Sequence, residues 1–276
     1  MMIPVTNSPS DIRSAEARGG VHGAIAAASR KTGVDFSYLL GQAQIESGLR
    51  TDVRASTSSA TGLYQFIDQS WLSVVKQHGQ EHGIGWASDA IQRSSSGRLT
   101  VTDPAMRQAI LDLRKNPEVA SVMAAEHAAD NKAVIEGRLG REANGTDLYM
   151  AHFLGVGGAV GFLSAMEDNP NRTAASLFPA AARSNRNIFF SRDGSAKSLA
   201  DIYQRFSEKL GNGVQLAGNN SPGVAGRAAG PRLDTATLNR LELARINQDQ
   251  VAEQNLLRPS PNNARLAYMM LASLGN

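Results

Sequence analysis

Between Asp35 and Phe66 the chain passes from a helical run into a polar loop, and one acid stands at the change. Asp35 offers the short carboxylate that caps a helix start. The run that follows carries Tyr38, Leu39 and Ala43 and ends in Gln44-Ile45-Glu46-Ser47-Gly48-Leu49. A short polar stretch later comes Ser58-Ser59-Ala60-Thr61-Gly62-Leu63-Tyr64-Gln65-Phe66. Cleavage of a glycosidic bond requires a proton donor near the leaving oxygen, and a carboxyl at a helix end among apolar neighbours suits that task. Ile45 and Leu49 are such neighbours, and the loop residues would line a groove for the sugars.

These residues resemble the catalytic domain of the soluble lytic transglycosylases, the goose-lysozyme-like group that cleaves peptidoglycan. In that family a Glu-Ser pair ends a buried helix and a Gly-Leu-x-Gln phrase follows; here they read Glu46-Ser47 and Gly62-Leu63-Tyr64-Gln65. A third family phrase, Ala-Tyr-Asn-x-Gly, has a divergent counterpart in Ala151-His152-Phe153-Leu154-Gly155. The resemblance spans roughly residues 20 to 210. It implies a mainly α, lysozyme-like helical catalytic domain in which Glu46 is the one catalytic acid. Glu46 would protonate the glycosidic oxygen between N-acetylmuramic acid and N-acetylglucosamine. It would then take the proton of the muramic C6 hydroxyl, which attacks the anomeric carbon and leaves a 1,6-anhydro end. Attack from within the sugar gains rate from proximity.

The other site expectations follow the same resemblance. Ser47 orients Glu46 or the sugar, or bonds its own helix end. Gln65 offers donor and acceptor groups to an N-acetyl amide. Tyr64 and Phe66 are candidates for stacking on sugar faces, with one of them in the core. His152 stands where the family has tyrosine and Phe153 where it has asparagine, so the usual hydrogen bonds there are altered; His152 is the substrate-binding candidate to replace one of them, a packed helix histidine the rival. Tyr203 is expected to approach Glu46 from the last helix. No metal or organic cofactor is implied. A hydrolase of the lysozyme type needs a second carboxylate across the bond; Asp52 is the nearest and reads as a solvated loop residue, while Glu126, on a helix expected to face this region, is a candidate secondary acid with a surface residue as the rival.

Two further readings compete. His78-Gly79-Gln80-Glu81-His82 has the H-x-x-E-H spacing of inverted zinc proteases. Gly79, Gly83 and Gly85 weaken the helix that this geometry needs. A non-catalytic wall-binding scaffold is the other, and the intact Glu46 argues against it.

Composition organises the rest. The chain has 276 residues, 5% aromatics and abundant alanine, which favours helices packed through small side chains. Its formal net charge of +3 is modest, and no basic run suggests nucleic acid. Cysteine is absent, so disulfides are excluded. No stretch is long and apolar enough to cross a bilayer, and the polar N-terminus lacks the apolar core of a secretory signal. The predicted parts are a flexible segment over 1–20, a catalytic domain over 21–210, a glycine-rich linker over 211–232 and a helical tail over 233–276. Helix starts are predicted at Asp35, at Ser70, at Asp103-Pro104, at Asn116-Pro117, near Thr146 and at Ser198 with Asp201; the stretch 78–102 reads as irregular. Leu238, Leu241 and Ile246 give the tail an amphipathic pattern, a candidate for docking a flagellar or secretion-apparatus protein. A wall substrate implies a periplasmic or cell-wall site of action, reached by another export route or by phage-type release.

Overall fold

The computed structural model describes residues 9–56 and 58–219, which are mainly helical, with twelve α-helices and one two-stranded antiparallel ribbon. Local capping chemistry explains the starts of five of these helices. α1 is Pro9–Thr32 and α2 is Phe36–Ser47. Asp35 Oδ1 accepts the Tyr38 amide at 2.8 Å, and Gly48 closes α2 with a φ of 61°. α3 is Asp68–His78 and α4 is Gly85–Ala90; β1, Gln92–Arg93, pairs antiparallel with β2, Leu99–Thr100. α5, Pro104–Asp112, begins with proline in its first turn and Asp103 as its cap. A 3-10 turn, Leu113–Lys115, leads to α6, Pro117–Leu139, whose first amides are met by Asn116 Oδ1. α7, Gly145–Leu154, opens on a reciprocal box between Asn144 and Asp147. α8 is Val156–Asp168, and three short helices follow: α9 (Ala174–Leu177), α10 (Pro179–Ser184) and α11 (Arg186–Phe189). α12, Leu199–Asn219, starts with the predicted Ser198–Asp201 box, each side chain accepting the other residue's amide at 3.1 Å. No helix among the described residues is long and apolar enough to cross a membrane.

The chain divides into two compact units, one running to His127 and resuming at Asn212, the other formed by Ala128–Gly211. In the first unit Trp71 is fully buried, and its indole Nε1 donates to Ile110 O at 2.7 Å. Phe66 meets it edge-on at 5.3 Å. In the second unit Phe206 of α12 packs on Phe153 and Tyr149 of α7, at 4.9 and 5.4 Å between ring centres.

Four expectations change. The segment over 1–20 is not wholly apart from helix: α1 begins at Pro9, a residue whose fixed φ suits a first turn. α3 begins at Asp68, before Ser70. The stretch 78–102 holds α4 and the β1–β2 ribbon, whose 94–97 turn reverses at Gly97 with a φ of 78°. The linker does not start at Gly211, because α12 continues to Asn219. Gly213 explains why glycine misled there: a Cβ on it would lie 2.9 Å from Gly41 O and 3.2 Å from Ile45. The glycine lets α12 lie against α2, a packing use that composition alone cannot separate from a linker. The tail over 233–276 lies outside the described residues.

Candidate active site

Glu46 is the penultimate residue of α2, and its Oε1 is closed off from solvent. Leu49, just past the helix end, is buried and Ile45 is half-buried. Gly48 and Leu49, with φ of 61° and 62°, both take left-handed backbone and turn the chain sharply away from the acid. Tyr38, about two turns earlier on α2, is its electrostatic neighbour. Burial pushes the Tyr38 phenol far above its ordinary value, and Tyr64 and the Glu46 charge push the same way. Tyr64 is raised for the same first reason, with the Ser121 hydroxyl pulling partly back. Burial thus keeps both phenols neutral, and Tyr38 feels the charge of Glu46 as well as Tyr64.

Ser47 ties this helix end to the loop. Its Oγ donates within α2 to Ala43 O at 3.1 Å and across to Leu63 O at 2.9 Å. The helix-end reading of Ser47 is therefore present, and a tether to the second motif is added to it. The loop itself is built on backbone strain. Gly62 has a φ of 82°, and a Cβ there would stand 2.1 Å from Arg114 O. Gln65 has a φ of 48°, uncommon for a residue with a side chain. Its amide Nε2 donates to Val53 O at 3.0 Å and Gly62 O at 2.8 Å. In this arrangement the Gln65 nitrogen holds the loop rather than reaching outward.

Arg114 clamps the loop from beyond it. Its guanidinium donates to Ser59 O, Phe66 O and Asp68 Oδ1 at 2.8, 2.9 and 3.0 Å. Burial lowers its pKa, and the Asp68 charge works against that shift. A cavity of about 140 Å³ lies alongside, lined by Arg54, Thr61 and Arg114 among others, too small for a saccharide.

Tyr64 is 1% exposed and Phe66 8%, so both rings belong to the core and neither offers a face for sugar stacking. Asp52 is exposed, as expected of a solvated acid. His152, Phe153 and Tyr203 belong to the second unit. His152 stacks on Tyr149 at 6.0 Å. Phe153 is packed on Phe206. The Tyr203 hydroxyl donates to Asp147 Oδ1 at 2.9 Å and lies 2.9 Å from Asn144 Nδ2, so it serves a buried polar network there.

Sequence reasoning missed Tyr38 and Arg114. A phenol about two turns before a helix-end acid was a readable signal for the first; a lone arginine 48 residues after Phe66 carries no comparable signal for the second. No protein-family model matches this chain.

Proposed function

We propose that the protein is a peptidoglycan lytic transglycosylase with a lysozyme-like helical domain, cleaving the β-1,4 bond between N-acetylmuramic acid and N-acetylglucosamine. The observation that carries this reading is the Glu46 site: a solvent-shielded carboxyl oxygen at a helix end, and a hydroxyl tether from Ser47 to the Gly62-Leu63-Tyr64-Gln65 turn. Glu46 gives its proton to the glycosidic oxygen as that bond breaks. The C6 hydroxyl of the muramic residue then attacks the anomeric carbon, and its proton passes to the same carboxylate. The product carries a 1,6-anhydro ring, and the acid returns to its starting state. No step needs a cofactor. The substrate puts the site of action at the periplasm or cell wall, and local wall opening for a flagellum or secretion apparatus is the biological role that fits.

The H-x-x-E-H reading loses its helix. α3 ends at His78, and the next residues form turns, so the two histidines are not placed one helical turn apart as a protease requires. Mass spectrometry of purified wall after digestion tests the proposal. Anhydro ends are expected; reducing ends would make the enzyme a lysozyme-type hydrolase of the same bond, and no release of fragments would leave a wall-binding scaffold.

A further inference from the structure

Past the end of α3 the chain folds back on itself. The Glu81 amide donates to His78 O and the His82 amide to Gly79 O, and Gly83 reverses the direction with a φ of 75°. This turn gathers the two histidines on Glu126 of α6, within the same unit. Glu126 Oε1 lies 2.7 Å from His82 Nε2, and its Oε2 lies 3.6 Å from His78 Nδ1. The two contacts are different in kind. The first is a short hydrogen bond. The second is too long for one. It is close to the roughly 3.4 Å that separates two ligands of one tetrahedral ion with bonds of about 2.0–2.1 Å. Glu81 adds a third donor: atoms from His78, Glu81 and Glu126 all lie within 4.8 Å of one another.

We propose that His78, Glu81 and Glu126 bind one divalent transition-metal ion, zinc by the character of the donors. One imidazole and two carboxylates suit zinc, whereas calcium and magnesium take oxygen alone. His82 is a positioning residue. Its Nδ1 is buried with no hydrogen-bond partner among the described residues, so the ring's bond goes through Nε2 to Glu126. That bond fixes the carboxylate with its other oxygen turned toward His78, the outer support that metal-binding side chains commonly have. The His78 and Glu126 side chains are 12% and 16% exposed, whereas Glu81 is exposed and completes the set from the solvent side. Three protein ligands leave the fourth position to water. The ion's role is to fasten the end of α3 and its following turn to α6. It is independent of the glycosidic chemistry at Glu46.

The test uses the full chain, stripped with a chelator and then titrated with zinc against a chromophoric competitor. The expected result is one ion per chain at low-micromolar zinc, with a rise in melting temperature. Cobalt in place of zinc should give the intense visible absorption of a four-coordinate ion. Glu81→Gln, at an exposed position where folding is spared, should weaken binding about tenfold or more. His78→Asn should do the same, and His22→Asn should leave binding unchanged. Absence of stoichiometric binding overturns the proposal, as does binding that survives either Glu81→Gln or His78→Asn. Wall cleavage measured well below the melting temperature should persist in the stripped protein, so a negative metal result and a negative cleavage result are separately readable.

Discussion

Glu46 and Asp147 are acids of similar sequence character set in different company. Asp147, in the second unit, is fully buried and locked: Arg141 Nη1 reaches its Oδ2 at 2.7 Å, and Tyr203 donates to its Oδ1 at 2.9 Å. Burial alone would lower the Arg141 pKa, but Asp147 and Glu167 more than reverse that, leaving it raised. Glu46, in the first unit, acts electrostatically on the buried, neutral phenol of Tyr38. A carboxylate matched to a permanent cation is a fixed structural charge. In the proposed function, Glu46 is instead the acid that must exchange a proton with the glycosidic oxygen.

The sharpest break of this comparison is an amide at each position. Glu46→Gln keeps size and fold but cannot cycle a proton, so release of wall fragments should fall by about a thousandfold with an unchanged melting temperature. Asp147→Asn should do the reverse. It leaves Arg141 without its buried partner and should cost about 3 kcal/mol of stability, read by urea unfolding. Near-normal cleavage by folded Glu46→Gln would remove Glu46 from the chemistry.

Gly62→Ala comes next, because it attacks the loop that Ser47 ties to the acid. The new methyl meets Arg114 O at 2.1 Å, and a residue with φ of 82° is strained with any side chain. A loss of about 3 kcal/mol is expected, together with weaker cleavage. Equal stability of mutant and parent in chemical denaturation would show that the loop can give way.

The parts of this structure that a reader of the sequence can find are those fixed within a few residues. Asp35, Asp103-Pro104, Asn116 and the Ser198–Asp201 pair each satisfy amides one turn away, so their meaning travels with the local sequence. The acid and its loop were legible for the same reason, as two short phrases. The Arg114 clamp and the Glu126 contacts were not, because they join residues 46 and 44 positions apart. Gly213 was misread because a glycine used for close helix packing and a glycine used for flexibility look alike until the neighbour is known.

Alkaline titration sharpens the contrast more gently. The Tyr38 and Tyr64 phenols of the first unit and the Tyr203 phenol of the second all have folded pKa values raised by burial. A raised value means that the folded state holds these protons more tightly. The stability this contributes is complete below pH 10, the ordinary tyrosine value, and is lost as pH rises beyond it. At pH 11 the loss is about 1.4 kcal/mol for each such phenol. Absorbance near 295 nm should show three tyrosines ionising only as the chain unfolds. Tyr38→Phe should remove one of them and lessen the alkaline loss, and ionisation of all tyrosines in the folded protein at pH 10 would contradict the buried cluster.

The smallest expected effect lies where α12 meets α2, the helix that carries Glu46. Gly213→Ala places a methyl 2.9 Å from Gly41 O, and a slight shift of α12 relieves it, at a cost of about 1 kcal/mol. The same contact decides where the chain can be shortened. Residues 212–219 belong to the first unit, and Ala217 is fully buried. A chain ending at Asn219 keeps that packing and should match the full chain in melting temperature and in cleavage of soluble glycan strands. A chain ending at Gly211 loses Gly213 and Ala217 from beside α2 and should melt several degrees lower, with reduced cleavage. Measuring the two truncations together separates the packing of α12 from any service by the tail. If the chain ending at Asn219 loses activity while the Gly213→Ala protein retains it, residues beyond 219 belong to the catalytic body; if both truncations match the full chain, the α2–α12 contact contributes nothing to holding Glu46.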